Sequence, residues 1–188
     1  MNNKQKGKNM AKNVLIIHGH TDPSQSYSTN KIVADLAKAF PTAEVDNLAE
    51  IYPDWKFDVT KEQQKVLDAD IIVIQAPVFW YSLPSITQKW LEDVFTHGFA
   101  YGSNVTTLHG KKLILSVTTG GPQEAYTALG KQVADCFDRF DVIAKFTGLE
   151  FYKFVGSYGH LALTHTPEDL NEKCDKVVAQ IKEAIEKA

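Results

Sequence analysis

Three short stretches hold side chains whose types and spacing can do chemistry. The first, His18-Gly-His-Thr-Asp-Pro-Ser-Gln-Ser-Tyr-Ser-Thr-Asn30, sets hydroxyls, a histidine and an amide just ahead of a helical pattern. Free backbone N–H groups and the dipole of such a helix start favour an anion, so the stretch can hold a phosphate or serve as a plain capping loop. The second, Gln75 to Tyr81, carries Phe79, Trp80 and Tyr81 in a row after Pro77. No single helix or strand face buries three consecutive aromatics, so part of that surface faces a cleft or a partner. The third, Thr118-Thr119-Gly120-Gly121, puts two glycines directly after an apolar run, where the backbone must approach something closely or take positive φ. A tight turn explains the same pair. None of the three carries a Walker or dinucleotide glycine pattern, and the chain has no Gly-x-Ser-x-Gly elbow. His18 and His20 lack a third ligand at local spacing, and His97, His109, His160 and His165 are scattered, so no metal site is expected.

Positioning these stretches falls to the elements around them. Val14–Ile17 and Ile71–Ile74 are wholly apolar runs that fit strands covered on both faces. Lys112–Val117 and Leu149–Val155 read as two more strands, and Thr42–Leu48, apolar at Val45 and Leu48, as a half-covered edge strand. A helix starts near Thr29, with Ile32, Val33, Leu36, Ala37 and Phe40 on its inner stripe, and Pro41 breaks it. Ile51–Asp58 reads as an ordered loop before a short helix over Thr60–Leu67. Pro84 opens the next helix, whose stripe is Ile86, Trp90, Leu91, Val94 and Phe95. Tyr126–Ile143 is helix-compatible throughout, and the last helix opens on Thr166-Pro167-Glu168-Asp169, a threonine cap with proline at the first helical position. Five strands alternating with helices predict an α/β parallel sheet with right-handed crossovers and helices on both faces. Ligands bind such sheets beyond the carboxyl ends of the strands, where the winding reverses. Loops 18–29, 76–83 and 118–126 are all strand exits, so they converge on one rim.

Composition narrows the class. With 188 residues, 44% of them hydrophobic, the chain can fill one core, and residues 13–188 read as a single domain behind a polar tail over 1–12. A net charge of −3 gives no footprint for a polyanion, so nucleic acid is not a partner. Cys136 and Cys174, far apart and outside any CxxC, read as buried small hydrophobes. No apolar run approaches the roughly 20 residues that cross a bilayer, and the tail lacks the apolar core of a signal peptide, so a cytoplasmic protein not inserted in a membrane is expected.

The motifs Pro77-x-x-Trp80-Tyr81-Ser82-x-Pro84, Lys89-Trp90-x-x-x-Val94-Phe95 and Gly98-Phe-Ala-Tyr-Gly102 resemble the flavin-dependent NAD(P)H:quinone reductases of the flavodoxin-like fold. The bacterial members, including the ancillary flavoprotein of glutathione-gated potassium efflux, are nearest, and the likeness covers about residues 13–160. It implies a three-layer sandwich with strand order 2-1-3-4-5 and a homodimer whose site lies between subunits. It also implies FMN, or alternatively FAD, with NADH or NADPH as donor and a quinone or similar electrophile as acceptor. His20, Ser26, Ser28, Thr29 and Asn30 then match the phosphate loop, with Thr21 in place of the family proline and either Ser26 or Ser28 in place of the family serine. Pro77, Val78, Phe79, Trp80 and Tyr81 would edge the ring. Thr118, Thr119, Gly120, Gly121 and Tyr126 would meet its pyrimidine side, and Gly120, Gly121 and Tyr126 would stabilise charge there during hydride transfer. Tyr101, Tyr158 and His160 are candidates for the substrate wall. Gln132 stands where animal members have a histidine, so a tyrosine–histidine relay is not carried over. Two other readings remain: a regulatory flavoprotein subunit on a membrane potassium-efflux system, and an electron-carrier flavodoxin, against which the mild charge speaks.

Overall fold

The computed structural model describes residues 12–188, so the expected tail lies almost wholly outside the described residues. Its first apolar run becomes β1 (Val14–His18), followed by α1 (Tyr27–Ala39), β2 (Glu44–Asn47), α2 (Leu48–Ile51) and α3 (Val59–Asp68). The second run is β3 (Ile71–Pro77), then α4 (Ser85–Val94), β4 (Lys112–Thr118), α5 (Gln123–Ala128), α6 (Arg139–Thr147), β5 (Glu150–Ser157) and α7 (Pro167–Lys187). The sheet runs β2-β1-β3-β4-β5 with every pair parallel, the α/β order expected from the resemblance. The two β-branched runs are adjacent, Ile16 beside Val73.

Strand alternation divides the core into two layers. Val14, Ile16, Ile71, Val73 and Ile114 face one side and pack with Ile32 and Leu36 of α1 and with Cys174, Val177 and Ile181 of α7. Leu15, Ile17, Ile72, Ile74 and Leu115 face the other, against Val66 of α3, Ile86 and Trp90 of α4 and Phe140 of α6. Each such aliphatic side chain contributes about 1.5–3 kcal/mol by leaving water. The sheet is therefore a rigid base whose carboxyl rim can hold loops in register.

Four sequence expectations change. Helix α1 begins at Tyr27, two residues early, and α2 occupies residues read as strand end and loop. The span 126–143 is not one helix. Gly130 takes φ +67° and Gln132 starts a new capping box with Asp135, so a 3-10 turn over Val133–Phe137 separates α5 from α6. Cys174 is buried, but Cys136 is only half-buried.

Between the sheet and helices α3 and α4 lies a buried polar cluster. Lys65 donates to Asp46 at 2.5 Å and to Glu62 at 2.7 Å. The Tyr52 hydroxyl, at 2.7 Å, and the Trp90 indole N–H, at 2.8 Å, also donate to Glu62. All five side chains are buried. Two carboxylates share one ammonium, Asp46 Oδ2 has no partner, and burial pushes the Asp46 carboxyl up to about 7. Among the described residues, no helix is long and apolar enough to cross a membrane.

Candidate functional site

The exits of β1, β3 and β4 and the loop after β5 line a crevice of about 180 Å³ at the carboxyl rim. It lies where the chain, having run from β1 outward to β2, returns to the other side of β1. One glycine makes the rim possible. A Cβ on Gly19 would overlap the Thr87 hydroxyl, which donates to the Gly19 carbonyl at 2.8 Å and so ties the first loop to α4.

The α1 end of the crevice is lined by hydroxyls. Ser26, Ser28 and Thr29 are buried there, and Gln25 and Tyr27, which sequence reasoning passed over, line it too. Ser26 occupies the cap position of α1, yet its side chain makes no capping bond. The first N–H groups of a helix have no acceptor within it, so this end offers donors to an anion. His20 stacks edge-on against Phe79 with centroids 5.4 Å apart, and its Nδ1 accepts the Asp22 N–H at 2.9 Å. Burial lowers the pKa of His20. Asn30 turns away: its Oδ1 accepts from His18 at 2.8 Å and its Nδ2 donates to the Pro23 carbonyl at 2.8 Å, bracing the loop from behind. Among the described residues, no lysine or arginine lines the crevice.

The middle is made of main chain. Pro77, Val78 and Phe79 form one wall and Thr118, Thr119 and Gly120 the other, with the Val78 N–H donating to the Thr118 carbonyl at 2.8 Å. Neither Gly120 nor Gly121 has positive φ, so the expected conformational reason for the pair does not hold. A Cβ on Gly120 would meet only Leu161, at 3.9 Å, and one on Gly121 would meet nothing within 4 Å. What the glycines keep clear is space beside the slot. Thr119 Oγ donates to the Gly121 carbonyl at 2.7 Å and fixes the turn.

Aromatics frame the mouth. Phe79 and Ser82 exchange two backbone hydrogen bonds of 3.0 Å, closing a two-residue turn in which Trp80 has φ +50° and Tyr81 φ +60°. Such turns usually take Asn-Gly, and each strained residue costs on the order of 1–3 kcal/mol. Arg139, the chain's only arginine, supports the turn from behind by donating to Ser82 Oγ and to Gln88 Oε1, both at 3.1 Å. Trp80 is 94% exposed. Tyr81, Tyr126 and Tyr158 stand edge to face in a row, with centroids 5.7 and 5.4 Å apart, and the Tyr158 hydroxyl accepts the Val133 N–H at 2.9 Å. Burial raises the pKa of the Tyr126 phenol, which therefore stays a donor.

His20, Ser26, Ser28, Thr29, Pro77, Val78, Phe79, Thr118, Thr119, Gly120 and His160 thus converge on the crevice, whereas Asn30, Trp80, Tyr81, Tyr101, Gly121, Tyr126 and Tyr158 are not part of its lining. Tyr101 packs on His97 and Phe146, away from the crevice lining. His160, expected at the substrate wall, lies instead at the hydroxyl end against Ser28. A crevice with donor groups at one end, cleared main chain in the middle and aromatics at its mouth fits a flat ring that carries a phosphate tail.

Residues 12–183 match the flavodoxin-like fold family. The chain is 35% identical over 172 residues to a Bacillus subtilis protein named uncharacterized NAD(P)H oxidoreductase YrkL, covering 90% of this chain and 96% of that one. Among solved structures, a chain described as thermophilic tryptophan halogenase from Streptomycin violaceusniger is 33% identical with TM-score 0.76, covering 88% of this chain and 95% of that one. General stress protein 14 from Treponema denticola, solved in complex with FMN, is 28% identical with TM-score 0.79, covering 92% and 99%. The two solved relatives are named for different roles; what they share with this chain is the fold.

Proposed function

The chain belongs to the flavodoxin-like fold family, and from that premise we propose that it is an FMN-dependent NAD(P)H oxidoreductase reducing quinones or related electrophiles in a ping-pong cycle. The observation that carries the reading is the crevice itself, in which an uncapped helix start and a glycine-cleared slot lie on one rim. The name of the Bacillus subtilis relative and the FMN held by the Treponema denticola protein support it.

Bound there, FMN supplies the hydride chemistry. Ser26, Ser28, Thr29 and the first N–H groups of α1 hold the phosphate, while His20 closes the loop over it. The main chain of Pro77, Val78 and Phe79 orients the ring from one side and Thr118 and Thr119 from the other. The N–H groups of Gly120 and Gly121 and the Tyr126 hydroxyl would stabilise negative charge that develops on the ring, each good donor being worth about 3 kcal/mol. Trp80 and Tyr81 shield the mouth from water, and Tyr158 keeps Tyr126 upright. Asn30 acts through His18 and Pro23, bracing the phosphate loop without entering it. Nicotinamide and acceptor would bind in turn, and the protein would contribute orientation and charge stabilisation.

The same reading makes the protein a cytoplasmic homodimer. A second copy would cover the exposed Trp80 and Tyr81 and bring Tyr101 to the substrate wall of its neighbour.

The absorption spectrum of the purified protein tests the proposal. The expected result is a flavin band that bleaches on adding NADH or NADPH and returns with a quinone, and FMN released by heat. Colourless protein that neither FMN nor FAD reconstitutes would overturn it.

A further inference from the structure

The hydroxyl end of the crevice contains a histidine that hydride transfer does not require. His160 is held by its backbone: its N–H donates to the Thr119 carbonyl at 2.7 Å, the Gly159 N–H to the Gly121 carbonyl at 3.0 Å, and the Thr119 N–H to the Ser157 carbonyl at 2.9 Å. The ring is thereby fixed between two hydroxyls. Nδ1 lies 2.8 Å from Ser28 Oγ and Nε2 lies 2.7 Å from Ser157 Oγ. Ser28 is itself buried, in the first turn of α1 and in the crevice wall.

A neutral imidazole carries one N–H, so the ring donates to one serine and accepts from the other. With the proton on Nε2, the ring donates to Ser157 and Nδ1 takes the Ser28 proton, leaving Ser28 with only lone pairs towards the crevice. With the proton on Nδ1, the Ser157 hydroxyl donates to Nε2, the ring donates to Ser28 Oγ, and the Ser28 proton turns into the crevice. The first arrangement repels an anion and the second binds it. Burial, with the charges of Lys173 and His165, pushes the His160 pKa down to about 4, so the ring is neutral around pH 7 and this choice is the one available to it. Since no lysine or arginine among the described residues lines the crevice, an anion there is met by neutral donors, which must be correctly turned.

We infer that Ser157, His160 and Ser28 form a proton-orienting relay in which His160 is a positioning residue, presenting the Ser28 O–H to a phosphomonoester seated at the start of α1. The inference rests on the FMN reading of the crevice and deepens it: the relay sets the preference for a phosphorylated over an unphosphorylated ring ligand.

Titrating the flavin-free full chain with FMN and with riboflavin, followed by fluorescence, tests it. His160→Leu is expected to weaken FMN by roughly tenfold to a hundredfold, as loss of a charge-assisted hydrogen bond does, while riboflavin changes by less than about twofold. His160→Gln, whose amide can donate to Ser28 and accept from Ser157, should recover part of the loss, and Ser157→Ala should fall between wild type and His160→Leu. The ¹⁵N spectrum of the wild-type ring with FMN bound should show the Nδ1–H tautomer. Equal weakening of FMN and riboflavin, or an Nε2–H tautomer with FMN bound, overturns the relay alone. Wild-type protein that takes up neither flavin overturns the reading of the crevice and the relay with it. Should His160→Leu fail to fold, Ser157→Ala and the tautomer decide the matter by themselves.

Discussion

Two regions bury polar side chains, and they do so to opposite ends. Between the sheet and α3 and α4, Lys65, Asp46, Glu62, Tyr52 and Trp90 spend their hydrogen bonds on one another. At the carboxyl rim, Ser26 makes no capping bond, and Gly120 and Gly121 leave clear the space that a side chain would fill. The first cluster is closed but for Asp46 Oδ2 and serves stability; the second is left open. A polar interior is therefore not by itself a mark of function. What separates the two is whether the protein's own groups complete the set.

That contrast can be broken in order of expected effect. Glu62→Ala should be the most damaging, costing about 2–6 kcal/mol because it leaves the buried Tyr52 and Trp90 donors unpaired and takes from Lys65 one of its two carboxylates. Urea unfolding would measure it, and a midpoint equal to wild type would mean the cluster is not the closed network described. Gly120→Val should do the reverse, weakening FMN by at least about tenfold with the thermal midpoint little changed, since its Cβ meets only Leu161 among the protein's own atoms. Retained affinity would show that the cleared space is not used. Arg139→Leu should cost about 1–2 kcal/mol and speed hydrogen exchange at the Phe79 and Ser82 amides, because the turn loses its support from behind. Unchanged exchange there would remove Arg139 from the account of the mouth.

The smallest effect concerns pH. Burial lifts the Asp46 carboxyl to about 7 in the folded protein, above its value in the unfolded chain. Its contribution is then fully present below about pH 4 and is lost as pH rises through about 7. Asp46→Asn keeps an acceptor for Lys65 and removes the surplus charge, so it should flatten the decline in stability between about pH 4 and about pH 7. Parallel curves for the two proteins would show that Asp46 is not the titrating group.

What the sequence revealed of this follows from the range of the forces involved. The strands at Val14–Ile17 and Ile71–Ile74 were plain because burial on both faces leaves an unbroken apolar run. The capped last helix was plain because Thr166, Pro167 and Asp169 act within one turn. The span 126–143 misled because its apolar spacing suits a helix, while the break comes from Gly130 and the Gln132–Asp135 box, which compete locally with that periodicity. The loops that converge on the crevice could be named because all leave the same edge of a parallel sheet. His160 could not be placed, since its partner Ser28 lies 132 positions away, and the Asp46–Lys65 pairing, 19 positions apart, was hidden for the same reason. Tyr101 sits in a motif of the family, yet its ring meets His97 and Phe146, which only the folded chain brings together.

The turn that carries Trp80 and Tyr81 has a kinetic consequence. Because Arg139 and the paired Phe79 and Ser82 backbones hold two bulky residues in the left-handed region before any visitor arrives, the main chain beneath the exposed indole is already set. A flat molecule or a neighbouring subunit that lands there finds the turn in its final form, with only side-chain rotations left to adjust. Encounter should then be limited by diffusion and orientation, with little delay for the loop to find its form.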